Sequence, residues 1–179
     1  MPASGQARWG WHRLSPRWAD RIVADAHVCP GDLVVDIGAG TGALTAALVA
    51  AGARVIAVEL HPRRIDVLRA RFANDPVTVV RADATDLRLP RHPFRVVANP
   101  PFGATTAILR RLLAPGSRLV AADVVLPHWV GRRWALGGAP GAGRWGRDHV
   151  VGLGPRIPRA AFTPPATADC TTLVIRRRP

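Results

Sequence analysis

From Leu33 onward, short apolar runs alternate with stretches of helical periodicity, and this rhythm constrains the fold more than any other feature of the 179-residue chain. A strand can reach a parallel neighbour only through a crossover, so such a rhythm builds a parallel sheet flanked by helices. Leu33 to Ile37 reads as a buried first strand, and Ala43 to Ala51 as a helix that Gly52 stops. Arg54 to Leu60 is a second strand, Pro62 opens a helix running to about Phe72, and Val77 to Arg81 is a third strand. Phe94 to Ala98, Leu119 to Val125 and Thr171 to Arg176 follow as strands, with a helix over Ala104 to Leu113. The expected fold class is α/β, in a single domain, since a chain of this length has room for one core and little beyond it.

Asp36-Ile37-Gly38-Ala39-Gly40-Thr41-Gly42 closes the first strand and opens a helix, where glycines let the backbone pass close to a ligand. The spacing is G-x-G-x-G, unlike the G-x-G-x-x-G of dinucleotide folds, and Asp36 would repel a pyrophosphate. A nucleotide-like, cationic cofactor fits this turn better, and a nicotinamide dehydrogenase fits it poorly. Glycines that only ease helix packing give the same pattern. Glu59, the only glutamate of the chain, ends the second strand, where a carboxylate can accept from both ribose hydroxyls. Asp83 ends the third strand, positioned to accept from an adenine amino group. Each acid alone reads equally as a solvated strand end. Together the three strand ends offer what one adenosine-bearing ligand needs, and ligands of open α/β sheets bind at those ends.

The fourth strand ends in Asn99-Pro100-Pro101-Phe102. An exocyclic amine such as adenine N6 is a poor nucleophile because its lone pair is delocalised into the ring. The Asn99 side-chain oxygen and the Pro100 carbonyl can accept the two amino hydrogens and aim the lone pair at a methyl donor, while the two prolines hold that carbonyl rigidly. Phe102 supplies a face for a base that has left its own stack. A proline-rich turn with Phe102 in the core is the bland alternative.

These residues resemble the class I S-adenosylmethionine-dependent methyltransferases, and within them the erythromycin-resistance branch of the ribosomal RNA adenine N6-methyltransferases. The resemblance implies a Rossmann-like, mostly parallel seven-stranded sheet, with Gly38, Gly40, Glu59, Asp83 and Asn99 binding S-adenosylmethionine, and Asn99, Pro100 and Phe102 acting on the target base. Phe162-Thr163-Pro164-Pro165, followed by Asp169-Cys170 and Leu173 to Arg176, is similar to the family's loop and final strand, which implies that Phe162 helps clamp the base; plain core packing is its alternative. Trp11-His12-Arg13-Leu14 is similar to the family's N-terminal cofactor motif at His12 and Leu14 and departs from it at Trp11 and Arg13, so His12 and Leu14 are implied cofactor contacts. The family continues past its last strand into a helical domain that helps hold RNA, whereas this chain stops at Pro179. The implied organisation is a short form without that domain, in which residues 1–28 contribute to cofactor and RNA binding and residues 29–179 form the catalytic core. The implied substrate is an adenine of 23S rRNA, and the implied consequence is macrolide, lincosamide and streptogramin resistance.

Charge points the same way. Twenty-five Lys+Arg, every one an arginine, against 12 Asp+Glu give a formal net charge of +13. Arginine presents a planar fork of donors that grips phosphate in pairs, so a polyanion is the expected partner. Arginine codon bias explains the preference over lysine but not the surplus over acids. Two segments interleave arginine with tryptophan, Arg8 to Trp18 and His128 to Arg147, and suit unpaired RNA. The second contains a Gly-rich stretch, Gly137 to Gly143, that reads as a loop able to settle on a partner. About half of the six tryptophans are expected in the core. Cys29 and Cys170 have no metal-ligand spacing and make no disulfide framework, which fits a reducing cytosol and no metal. No signal peptide and no membrane-spanning run is evident, so a cytoplasmic protein without membrane contact is expected. The oligomeric state is left open, a monomer being the expectation. The rival readings are a small-subunit rRNA dimethyladenosine transferase, a DNA adenine N6-methyltransferase, and a non-catalytic RNA-binding factor that retains the fold.

Overall fold

The structure is a computed structural model and describes residues 12–139 and 148–179. The chain runs β1 (Arg13–Leu14), α1 (Pro16–Asp25), β2 (Leu33–Ile37), α2 (Ala43–Ala50), β3 (Arg54–Glu59), α3 (Pro62–Arg71), β4 (Val77–Arg81), β5 (Phe94–Ala98), α4 (Thr105–Leu112), β6 (Leu119–Pro127), α5 (His128–Ala135), β7 (His149–Ile157), β8 (Phe162–Thr163) and β9 (Cys170–Arg177). Among the described residues seven strands form one sheet in the order β4-β3-β2-β5-β6-β9-β7. β2 to β6 are mutually parallel, and β9 lies antiparallel between β6 and β7. This is the α/β class that the sequence pattern predicts and the mostly parallel seven-stranded sheet that the family resemblance implies.

Both faces of the sheet are covered, which explains why its central strands are continuous apolar runs without alternation. One face packs Ile108, Leu109 and Leu112 of α4 and Trp134 of α5 against Val35, Ile37 and Val96. The other packs Ile22 and Val23 of α1 and Leu44 and Leu48 of α2 against Val34, Val55 and Val97. Each such fully buried side chain contributes about 1.5–3 kcal/mol. Pro16 and Pro62 occupy the first turn of α1 and α3, where a missing N–H costs nothing. Among the described residues no helix is long and apolar enough to cross a membrane.

The structure adds elements that the sequence pattern does not announce. β7 escapes notice because Gly152, Gly154 and Pro155 interrupt it and it sits at the sheet edge, with a register shift between Leu153 and Arg156. The two-residue strands β1 and β8 pair with each other through Leu14 and Phe162, a long-range contact with no local signal. His128–Ala135, singled out for its Arg and Trp content, is helix α5. The segment ahead of the first strand is not peripheral from His12 onward: Leu14, Ala19, Ile22 and Val23 are buried in the core. Of the two Arg/Trp segments, Arg8 to Trp11 and Arg144 to Arg147 lie outside the described residues, as do Trp9, Trp11 and Trp145. Of the described tryptophans, Trp134 is buried, Trp18 half-buried and Trp129 exposed.

The chain leaves β2 toward β3 and β4 on one side, and β5 and β6 lie on the other. The boundary between β2 and β5 is therefore a topological switch point, where loops diverge and leave a crevice at the carboxyl ends of the strands.

Candidate active site

That crevice is a cleft of about 560 Å³, lined among others by His12, Gly38, Glu59, Arg64, Asp83, Asn99, Pro100 and Phe102, with Val58, Leu60 and Ala84 as apolar wall. Its size lies in the range of small-molecule and cofactor sites. A narrow recess opens beside it, lined by Asp36, Gly38, Thr41, Leu14, His12 and Asn99. The two cavities share His12, Gly38 and Asn99.

The turn after β2 takes its shape from glycine. Gly40 has a φ of 59° and Gly42 one of 88°, in the left-handed region that other residues rarely adopt. In this shape the Gly40 N–H donates to Glu59 Oε2 at 2.8 Å. Glu59 Oε1 accepts from the N–H groups of Leu60 and His61, both at 2.9 Å, and Arg64 lies 3.9 Å from the same oxygen. Three backbone donors thus fix the carboxylate across the cleft, with one lone pair of Oε2 still unused.

Asp36 is buried, with 1% of its surface exposed. Its Oδ2 accepts from Thr45 Oγ1 at 2.7 Å, whereas Oδ1 has no partner within the protein. Burial pushes its pKa up to about 7, against the Thr45 hydrogen bond, with the negative charge of Glu59 adding to the rise. A buried carboxyl with one oxygen unpaired by the protein borders the recess and would favour a cationic group bound there.

Asp83 is exposed and caps a short 3₁₀ turn, accepting from Thr85 N and Thr85 Oγ1 through Oδ1. Those bonds hold its pKa below the usual carboxylate value. Its Oδ2 makes no such bond, so Asp83 can cap the turn and still face the cleft.

Asn99 follows β5 and is half-buried. One N–H of its Nδ2 donates to the His12 carbonyl at 2.9 Å, which fixes the orientation of the amide and leaves Oδ1 as the acceptor. His12 is itself anchored, its Nδ1 donating to the Pro164 carbonyl at 3.0 Å, and its ring lies nearly parallel to Phe102, with 22° between planes and centroids 6.0 Å apart. Gly38 closes the arrangement: a Cβ there would stand 3.1 Å from Pro101 Cδ and 3.2 Å from Pro100 Cα, so the turn after β2 and the tetrapeptide after β5 touch backbone to backbone.

Of the expected residues, His12, Gly38, Glu59, Asp83, Asn99, Pro100 and Phe102 line the main cleft. Leu14 lines the recess while being 2% exposed, and Gly40 acts by holding Glu59. Phe162 is not brought to the cleft. It is 2% exposed and packed in the core, because the pairing of β8 with β1 sets it opposite Leu14. Arg64 and Thr167 line the cleft without having been expected. Arg64 had a faint signal, a cation in the first turn of the helix that follows Glu59; Thr167 had none.

S-Adenosylmethionine fits these residues. The orphaned Asp36 oxygen would suit its cationic end, the remaining lone pair of Glu59 Oε2 a ribose hydroxyl, and the apolar wall beside Asp83 its adenine.

Comparison with known proteins agrees with the geometry. The family model for ribosomal RNA adenine dimethylase matches residues 13–151. The chain is 40% identical over 149 residues to the mycinamicin-resistance protein MyrB of Micromonospora griseorubida, covering 81% of this chain and 47% of that protein. It is 39% identical over 137 residues to ribosomal RNA small subunit methyltransferase A of Leifsonia xyli subsp. xyli, covering 73% of this chain and 48% of that protein. It thus spans about half the length of these curated relatives. Among solved structures, the 23S rRNA methyltransferase ErmE superposes with a TM-score of 0.80 at 27% identity, covering 90% of this chain and 68% of that one.

Proposed function

The chain belongs to the ribosomal RNA adenine dimethylase family, and on that premise we propose that it transfers the methyl group of S-adenosylmethionine to N6 of an adenine in 23S rRNA, with macrolide, lincosamide and streptogramin resistance as the consequence. The observation that carries the chemistry is the pinned amide of Asn99, whose nitrogen donates to the His12 carbonyl and whose oxygen is left to accept. The similarity to a mycinamicin-resistance protein and to a 23S rRNA methyltransferase supports the choice of RNA.

The mechanism follows from these residues. Asn99 Oδ1 and the Pro100 carbonyl accept the two N6 hydrogens of the target adenine. That geometry draws the nitrogen toward tetrahedral and localises its lone pair. Phe102 offers a face to the flipped base and keeps water from the reacting amine. When bound, S-adenosylmethionine supplies a methyl group made electrophilic by its sulfonium. Asn99 is no base, so the extra proton on N6 leaves to solvent after transfer. Catalysis here is positioning plus hydrogen bonding to the amine, which aligns nucleophile and electrophile in one bound geometry.

A second reading, methylation of small-subunit rRNA, is favoured by the similarity to a small subunit methyltransferase. Purified protein incubated with methyl-labelled S-adenosylmethionine and, separately, 23S rRNA, 16S rRNA and duplex DNA separates the readings. Label mapped to a 23S adenine supports the proposal. Label on 16S RNA or DNA alone replaces it with the corresponding rival, and no label on any substrate leaves a non-catalytic RNA-binding factor.

A further inference from the structure

We propose that the rim running from the catalytic tetrapeptide across the ends of β6, β9 and β7 is a platform for unpaired RNA next to the target adenine, on which Trp129 stacks one base and Arg132, Arg133, Arg156 and Arg159 meet the phosphates. The inference rests on the ribosomal RNA reading above and adds to it where the strand beyond the target lies.

Trp129 is 66% exposed, whereas Trp134, five residues later on the same helix, is 5% exposed. Helix α5 repeats its exposed positions at the spacing of one face: Trp129, Arg132, Arg133 and Leu136 lie at i, i+3, i+4 and i+7, and all four are exposed. The opposite face is fixed to the sheet. A Cβ on Gly131 would stand 2.8 Å from Thr171 Cγ2 and 3.0 Å from Leu126 Cδ1, so only glycine lets the helix sit this close. The His128 N–H donates to the Asp169 carbonyl at 3.0 Å, tying the start of the helix to β9. The platform is rigid, so little ordering cost falls on binding.

Register places the start of this helix, where Trp129 stands, on the cleft side of the sheet. Ala98, which precedes Asn99, pairs with Val124, and Pro127 pairs with Cys170, which pairs with Ile157. The first turn of α5, the start of β9 and the end of β7 thus form one row at the carboxyl end of the sheet. That row lies roughly 7 Å beyond Asn99 along the strand direction. Arg156 and Arg159 stand on it, both exposed. Arg156 Nε lies 3.5 Å from Asp169, the acid that also accepts the Arg159 N–H. Arg133 Nε donates to the Gly138 carbonyl at 3.0 Å, which orients its guanidinium.

An exposed tryptophan flanked by guanidinium groups on an arginine-rich protein of net charge +13 matches single-stranded RNA, whose bases stack and whose phosphates pair with arginine. Stacking on an aromatic face is tolerant of sequence, so the platform holds the strand while the cleft chooses the amine.

The test uses the full chain and a 20-nucleotide unstructured RNA with a single adenine, alongside the same RNA carrying abasic sites on either side of that adenine. Trp129→Ala is expected to weaken RNA binding about tenfold, with Trp129→Phe retaining most of it and S-adenosylmethionine affinity unchanged in both. Abasic flanks are expected to weaken the wild-type protein by a similar factor and to leave Trp129→Ala almost unaffected. Replacing Arg132 and Arg133 by Ala should lower the salt dependence of binding by about one to two ions. Equal binding and methylation by wild type and Trp129→Ala would overturn the platform and leave the rRNA reading standing. A wild-type protein that binds S-adenosylmethionine but neither binds nor methylates RNA would overturn both.

Discussion

The side chain of Asn99 donates to the backbone carbonyl of His12 at 2.9 Å, across 87 residues of sequence. The segment before α1 therefore sets which atom of the amide remains to meet a substrate. A carbonyl can only accept, so it takes the amide nitrogen and turns the oxygen toward the role that amine chemistry requires. His12 is held in turn by Pro164, so the loop before β9, the segment before α1 and the tetrapeptide after β5 form one continuous support.

Asn99→Ala removes an acceptor for the amine without touching Glu59, Asp36 or Asp83. Methyl transfer should fall at least about a hundredfold, while S-adenosylmethionine affinity, measured by calorimetry, changes little. Asn99→Asp is the sharper variant, because a carboxylate cannot donate to the His12 carbonyl and would face it with like partial charge. It too should lose turnover; a variant Asp that turns over normally would sink the assigned role of the His12 bond.

Gly42→Ala tests how tightly the turn after β2 packs on α3. The residue has a φ of 88°, and a Cβ would stand 2.5 Å from Phe72 Cε2. Gly116 has a φ of 83° with nothing within 4 Å of its Cβ position. Gly116→Ala should cost only the left-handed backbone penalty, about 1–2 kcal/mol, and Gly42→Ala clearly more. Equal losses in urea denaturation would show that Phe72 yields without cost.

Much of this was legible in the sequence because the elements and the chemistry depend on local pattern. The central strands β2, β5 and β6 are buried on both faces and appear as mainly apolar runs, and the acids that end β3 and β4 fall at fixed places relative to theirs. What was not legible depends on contacts distant in the chain. The bond that orients Asn99 joins it to a carbonyl, which carries no residue-type signal at all. Phe162 looks like a stacking residue in its motif, yet its strand partner Leu14 draws it into the core. β7 carries no strand signal because its glycines and proline are tolerated only at a sheet edge, and edge position is a property of the assembled sheet.

Arg176 and Asp123 form a two-pronged ion pair whose carboxylate is buried. Arg176 Nη1 lies 2.9 Å from Asp123 Oδ2, Nη2 donates to Oδ1 at 3.0 Å, and Asp123 is 3% exposed. Burial raises the Asp123 pKa, and Arg176 opposes that rise. Arg176→Met leaves the carboxyl without its donor and should destabilise the fold by about 3 kcal/mol. Asp123→Asn in the same background should recover part of that loss. A double variant no more stable than Arg176→Met alone would show that Arg176 contributes by packing and by its bond to the Ala122 carbonyl rather than through the charge of Asp123.

Asp36 makes both stability and cofactor affinity depend on pH, in opposite senses. With a folded pKa of about 7 against an ordinary 3.8, the native state holds a proton that the unfolded state has released over that interval. Unfolding free energy must then fall as pH rises from about 4 to about 7, by on the order of a few kcal/mol, and level off above. Asp36→Asn removes the titrating group, so it should flatten this slope and stabilise the ligand-free protein at neutral pH. A cationic ligand beside the orphaned Oδ1 favours the ionised carboxylate, so binding below pH 7 must expel the proton. S-Adenosylmethionine should therefore bind more tightly as pH rises from 5.5 to 7. Calorimetry in two buffers of different ionisation enthalpy should show release of a large fraction of one proton near pH 6, absent in Asp36→Asn. Binding without proton release at that pH would place the cationic end of the cofactor away from Asp36 and return the carboxyl to a purely structural partnership with Thr45.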